Sequence, residues 1–136
     1  MRMIKFRLRI GSEIVGYELF SSSTVGGGWF YLDIKALNPH WKREQGVPDS
    51  YIYHTEKDQY TGLHDKNGKK IYEGDIVKLD SWAGVQQIRF IEGAFCLAND
   101  KGMFVGDIHY CQHGNQKQAV VIGNVYENPE LLKVKL

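Results

Sequence analysis

The run His109-Tyr110-Cys111-Gln112-His113 holds three metal-binding side chains within five residues. On an extended strand, positions two apart share a face, so His109, Cys111 and His113 would form one row of soft and borderline donors. At a rise of about 3.3 Å per residue the outer two Cα atoms stand about 13 Å apart, too far for one ion unless the backbone bends. Zinc sites draw on two separated ligand pairs, and Cys96 is the nearest further soft donor. The preferred reading is no metal site: a cysteine in the core and two histidines at the surface.

Two acids, Glu73 and Asp75, are close enough in sequence to work as an acid–base pair. That chemistry needs unlike environments and a cleft for substrate, whereas acids in hairpin turns are ordinarily solvated. Asp65-Lys66-Asn67-Gly68 opens like a calcium loop but fails on spacing: Lys70 stands where the sixth-position glycine belongs, and Ile76 where the twelfth-position acid belongs. Gly26-Gly27-Gly28 lacks the downstream glycine of a dinucleotide loop, and no Lys-Ser or Lys-Thr completes a triphosphate loop. Neither a serine-hydrolase elbow nor a zinc-protease helix motif is present. The expectation is a protein that is not an enzyme, with no catalytic residue, cofactor or metal.

Lys5, Arg7 and Arg9, with Arg2 before them, make the one basic stripe suited to phosphate contacts. Trp29, Tyr31 and Trp41 would supply stacking surfaces if they gathered beside it. The competing reading is a solvated strand face, or a stripe paired with acids from a neighbouring strand or subunit. Lys and Arg total 17 against 16 Asp and Glu, a net charge of +1. Such a balance creates no long-range field toward nucleic acid or an anionic membrane, and it favours the competing reading.

These residues must be held by something, and the chain reads as one domain of 136 residues with an ordinary soluble composition. Two cysteines, Cys96 and Cys111, are too few for a disulfide framework and read as free thiols, with a single bridge as the alternative. The basic residues near the start are interleaved with apolar ones, unlike a secretory signal. Nothing approaches the ~18 consecutive apolar residues of a membrane span. A cytoplasmic protein is the expectation.

Residues 4–10 alternate strictly, with Ile4, Phe6, Leu8 and Ile10 opposite Lys5, Arg7 and Arg9, as in a half-buried strand. Gly11-Ser12 suits a two-residue type II′ turn into a strand through Val15, Tyr17 and Leu19. A strand over 29–35, a short helix over 39–45 opened by Asn38-Pro39, and a strand through residues 51–53 follow. Asp65-Lys66-Asn67-Gly68 predicts a hairpin turn, with strands over 69–72, 75–79, 85–91, 94–98, 103–110 and 119–126. His113-Gly114-Asn115 reads as a loop, and Asn128-Pro129 opens a short C-terminal helix carrying Leu131 and Leu132. Many short strands between turn signals predict a mainly-β barrel or sandwich with one or two short helices.

Two long motifs resemble a known family. Tyr60-Thr61-Gly62-Leu63-His64-Asp65-Lys66-Asn67-Gly68-Lys69-Lys70-Ile71-Tyr72-Glu73-Gly74-Asp75-Ile76-Val77 is similar to the signature of the YopX family, and so is Val121-Ile122-Gly123-Asn124-Val125-Tyr126-Glu127-Asn128-Pro129-Glu130-Leu131-Leu132. Ile4-Lys5-Phe6-Arg7 matches the family's usual start, while residues 11–57 resemble it little. The resemblance implies a protein of a phage or prophage, of unknown biochemical function, and it brings no catalytic residues with it. Gly74-Asp75-Ile76-Val77 and the strand pair after it are also similar to SH3-like small barrels, an analogy of fold alone. The expected organisation is a single YopX-like domain over 1–136, with a variable β-rich lobe over 1–58 and a signature-bearing SH3-like lobe over 59–136. The expected role is a protein-interaction or self-assembling module, a homo-oligomer or one with a protein partner. The alternative is a nucleic-acid-binding module using the basic first strand.

Overall fold

The structure is a computed structural model. It describes residues 4–21, 28–33, 52–80, 84–113, 116–117 and 119–133. The chain divides into two compact units, Met1–Tyr60 and Thr61–Leu136.

In the first unit β1 (Ile4–Ile10) pairs antiparallel with β2 (Glu13–Ser21), Ile10 opposite Glu13 and Ile4 opposite Phe20. The turn between them is Gly11-Ser12, with Gly11 at φ +58°, the positive angle a type II′ turn asks of its first residue. Leu8 faces Gly16 and Arg9 faces Ile14, so Val15 is the extra residue of a β-bulge. β3 (Gly28–Asp33) lies along β2. β4 (Glu56–His64) lies along β1 with Arg7 opposite Asp58. With β5 (Lys70–Tyr72) the order of this sheet is β3-β2-β1-β4-β5.

The second unit carries β6 (Asp75–Leu79), β7 (Val85–Ile91), β8 (Ala94–Ala98) and β9 (Phe104–Asp107). A small pair, β10 (Gln112–His113) and β11 (Gln116–Lys117), precedes β12 (Ala119–Asn124). The five-stranded sheet of this unit runs β12-β6-β7-β8-β9. Ile71, Val77, Leu79, Ile88, Leu97 and Ala119 form its dry core, none more than 3% exposed. Each such branched side chain removed from water contributes roughly 1.5–3 kcal/mol. The alternation of β6 places Val77 and Leu79 in that core and Lys78 at the surface.

The protein is mainly β, with two five-stranded antiparallel sheets among the described residues, and several finer expectations are corrected. The five-stranded sheet of the second unit is open among the described residues, so the expected SH3-like barrel does not close there. Closure would join β9 to β12. The outer edge of β12 is already engaged, since the Ala119 carbonyl accepts the Lys66 N–H and the Val121 N–H reaches the Asp65 carboxylate. β9 stops at Asp107, whose side chain accepts the His109 N–H and turns the chain into a 3-10 helix, Ile108–Cys111, in place of a strand to 110. The short C-terminal helix expected after Asn128 is present and is of the 3-10 type, Pro129–Lys133, with Leu131 N–H bonded to the Asn128 carbonyl. Residues 52 and 53 form no strand, and Tyr53 is exposed. The helix expected over 39–45 lies outside the described residues. Among the described residues, no helix is long and apolar enough to cross a membrane.

Candidate functional site

Strand pairing sets the fate of the basic stripe. β4 lies antiparallel on β1 and brings the Asp58 carboxylate onto the face that Arg7 and Arg9 share. Arg7 Nε donates to Asp58 Oδ2 at 3.1 Å, and Arg9 Nε and Nη2 donate to Oδ2 and Oδ1 at 2.9 and 3.0 Å. Arg9 Nη1 donates to the Gly11 carbonyl at 2.6 Å. Arg7, Arg9 and Asp58 are 5%, 6% and 2% exposed. Lys5, in the same row, is half-buried with its ammonium 4.9 Å from the centre of the Tyr17 ring. So the structure puts Lys5, Arg7 and Arg9 on one face but withdraws two of them from solvent around a common carboxylate. Of the stacking candidates, Tyr31 is half-buried on β3 and Trp29 is on the same strand, while Trp41 lies outside the described residues.

The opposite face of that sheet carries a second charged group. Lys57 Nζ is 3.1 Å from the buried Glu18 carboxylate and 4.4 Å from the centre of the Phe6 ring. Cation, carboxylate and aromatic face lie together there, an arrangement that stabilises an ion partly withdrawn from water.

The metal-like run does not form the expected row. His109 and Cys111 lie on the 3-10 helix Ile108–Cys111 and His113 on β10, so strand alternation does not align them. Cys111 is buried in the core, and burial pushes its thiol up to about 12. The exposed His109 ring has Nδ1 2.5 Å from Asp107 Oδ1. The His109 backbone N–H and then its ring hold the Asp107 carboxyl below the usual range. Among the described residues no three His, Cys, Asp or Glu side chains converge on one ion position. Asp75, buried, accepts the Tyr72 N–H at 2.8 Å and so closes its own turn.

The two long motifs meet in the second unit. Asp65 is 2% exposed and accepts three backbone N–H groups: Asn67 and Lys69 on Oδ1, at 2.8 and 2.9 Å, and Val121 on Oδ2, at 2.9 Å. Burial alone would raise this carboxyl, but the Val121, Lys69 and Asn67 N–H groups and the Lys69 charge outweigh it and hold the group below the usual carboxylate range. Oxygens already filled by donors are unsuited to calcium. Gly74, at φ +88°, sits under the Tyr126 ring, where a Cβ would come within 2.7 Å of a ring carbon. The Val125 N–H bonds the Gly74 carbonyl. Asn124 accepts the Tyr126 and Glu127 N–H groups, closing the turn that carries Tyr126. The first motif is therefore the seat and the second the strap laid over it. The family model described as YopX protein matches residues 29–133.

The chain belongs to the YopX family. A similar solved structure is that of protein EF1440 from Enterococcus faecalis, 22% identical over 95% of this chain and 97% of that one, with a TM-score of 0.49. No curated protein matches. In this YopX chain Asp65, Asp75 and Asn124 of the two motifs close turns, and Gly74 admits the Tyr126 ring.

Sequence reasoning missed two features of the YopX fold. Asp58 sits in the polar run 56–59, which lacks an apolar alternation, and its only sequence signal is that it shares a face with Tyr60. Met103 and Phe104 are 61% and 64% exposed at the start of β9. The sequence places a strand there without saying which edge it occupies, and only the sheet order shows that β9 is an end strand.

Proposed function

We propose that this YopX chain is a non-enzymatic interaction module, encoded by a phage or prophage and acting in the cytoplasm of its bacterial host, that binds another protein chain or a second copy of itself. The carrying observation is the pair Met103 and Phe104, 61% and 64% exposed, where Phe104 opens β9, an end strand of the five-stranded sheet in the second unit, and Met103 precedes it. The other end strand, β12, has its edge engaged by Asp65 and Lys66, so the two edges differ in what they offer a partner. Covering an exposed aromatic side chain releases roughly 1.5–3 kcal/mol, and edge strands are where chains add to sheets.

Light scattering across a concentration series, with a pull-down from induced host cells, tests this reading for the wild type and Phe104→Lys. The expected result is a mass above that of one chain, or a specific captured protein, in the wild type only. A wild type that stays monomeric throughout, and captures the same proteins as Phe104→Lys, would overturn it.

The competing nucleic-acid reading needs Arg7 and Arg9 turned toward phosphates. Their burial around Asp58 supports the protein-binding reading. Binding of DNA or RNA at low salt that weakens with Lys5→Ala and with added salt would reverse that preference.

A further inference from the structure

The turn that joins β4 to β5 is exposed at Asn67 and Gly68, and it contains an Asn-Gly pair. A backbone amide nitrogen can attack the side-chain carbon of the asparagine before it, and glycine hinders that attack least. Four bonds hold this turn: Gly68 N–H to the Asp65 carbonyl at 3.1 Å, Asp65 N–H to the Lys69 carbonyl at 2.8 Å, Asn67 N–H to Asp65 Oδ1 at 2.8 Å and Lys69 N–H to the same oxygen at 2.9 Å. The first bond, with Gly68 at φ +83°, is the pattern of a type I turn followed by a glycine bulge. The residue before that glycine has ψ of roughly 0°, which keeps the glycine nitrogen off the asparagine Cγ.

We infer that Asn67 is a spontaneous deamidation site that the Asp65 clamp keeps closed in the folded chain, and that the reaction, once complete, prevents the clamp from re-forming. In the opened turn the Gly68 nitrogen attacks Asn67 Cγ, the Cγ–Nδ2 bond breaks, and the nitrogen's proton passes through water to the departing ammonia. Water then opens the succinimide at either carbonyl, giving aspartate or isoaspartate. Isoaspartate inserts a methylene into the backbone between the donors that Asp65 holds, so Asn67, Gly68 and Lys69 can no longer reach it together. Aspartate sets a second carboxylate beside one already buried. Asn38, Asn99, Asn115, Asn124 and Asn128 precede Pro39, Asp100, Gln116, Val125 and Pro129, which are bulkier than glycine or lack the amide proton altogether.

The test is peptide mapping of the full chain incubated at mildly alkaline pH, native and in concentrated urea, followed by hydrogen exchange on the aged native protein. Asn67 should lead all other asparagines in urea and react at least about tenfold more slowly in the native chain, because the turn must open first. Molecules carrying isoaspartate should lose the exchange protection of Val121, whose N–H the clamp holds. Equal native and urea rates, or another asparagine leading in urea, would overturn the closed-site inference. Full Val121 protection in the aged fraction would overturn the one-way step.

Discussion

Arg9 holds Asp58 with two nitrogens, Nε 2.9 Å from Oδ2 and Nη2 3.0 Å from Oδ1, while Arg7 Nε reaches the same Oδ2 at 3.1 Å. Planar guanidinium and planar carboxylate match edge to edge, the strong form of a charge-assisted hydrogen bond. All three residues are buried, so removing the carboxylate leaves two cations without their shared anion.

Asp58→Ala is therefore expected to cost about 3–5 kcal/mol of stability, the range for breaking a buried ion pair from one side. The exposed Lys66–Asp80 pair is the contrast, and Lys66→Ala should cost less than about 1 kcal/mol. Urea unfolding of the two variants measures both, and similar small losses would contradict the role assigned to Asp58.

Gly74→Ala meets two obstacles, a φ of +88° and the Tyr126 ring 2.7 Å from the new Cβ. A loss of more than about 1 kcal/mol is expected, since the native backbone does not suit alanine. In the background of Tyr126→Ala the added cost of Gly74→Ala should shrink without vanishing, because the backbone angle remains. A vanishing cost in that double-variant cycle would assign the whole effect to the ring.

The pH dependence follows from Asp65, whose folded carboxyl titrates below its ordinary value. On acidification the unfolded chain takes up this proton first. The contribution of Asp65 is thus full above the ordinary carboxylate range and declines as pH falls through the lower folded value. Chemical denaturation from neutral to acid pH should show stability falling over that window, and Asp65→Asn should flatten part of the fall. A variant with an unchanged acid profile would rule out the clamp as a source of the slope.

Cysteine reactivity should separate the folded from the unfolded chain. Burial pushes Cys111 up to about 12. Cys96 is raised first by burial and then by Asp107, against the nearby Arg89 charge. A thiol reagent at neutral pH should label neither quickly in the native protein and both in urea, with Cys111 the slower native site. Fast native labelling of Cys111 would mean that the core opens around it.

The turn between β7 and β8 contains Glu92 at φ +49°, the one positive-φ residue other than glycine among the described residues. Left-handed backbone costs a side chain roughly 1–2 kcal/mol, less for asparagine. Glu92→Asn should raise the melting temperature, with a gain of about 1 kcal/mol or less. A lower melting temperature would point to a role for the Glu92 carboxylate that outweighs its backbone cost.

Turns were the most legible feature of this sequence. Gly11-Ser12, Asn67-Gly68, Glu92-Gly93 and 99–102 all reverse the chain where they are expected to, because a positive φ or a side-chain cap is a property of two to four adjacent residues. Of the strands between them, β1 follows from strict alternation, and β6 and β8 from short apolar runs bounded by turns. Legibility failed where a distant residue decides the outcome. The run 56–59 extends as a strand although its composition is that of a loop, because β1 supplies hydrogen bonds and two arginines for Asp58. The segment after Phe104 leaves the sheet early because Asp107 caps the His109 N–H, although its alternation would allow a longer strand.

By itself the sequence determined the chain reversals, the mainly-β character and the family, since each is written in short stretches of adjacent residues. Only the tertiary structure decided which charges are presented. A strand pattern puts Lys5, Arg7 and Arg9 on one face without saying what that face meets. Asp58, 51 residues from Arg7, is what meets it. A charge leaves water only when its counter-charge arrives in register, and that register belongs to the sheet and not to either strand.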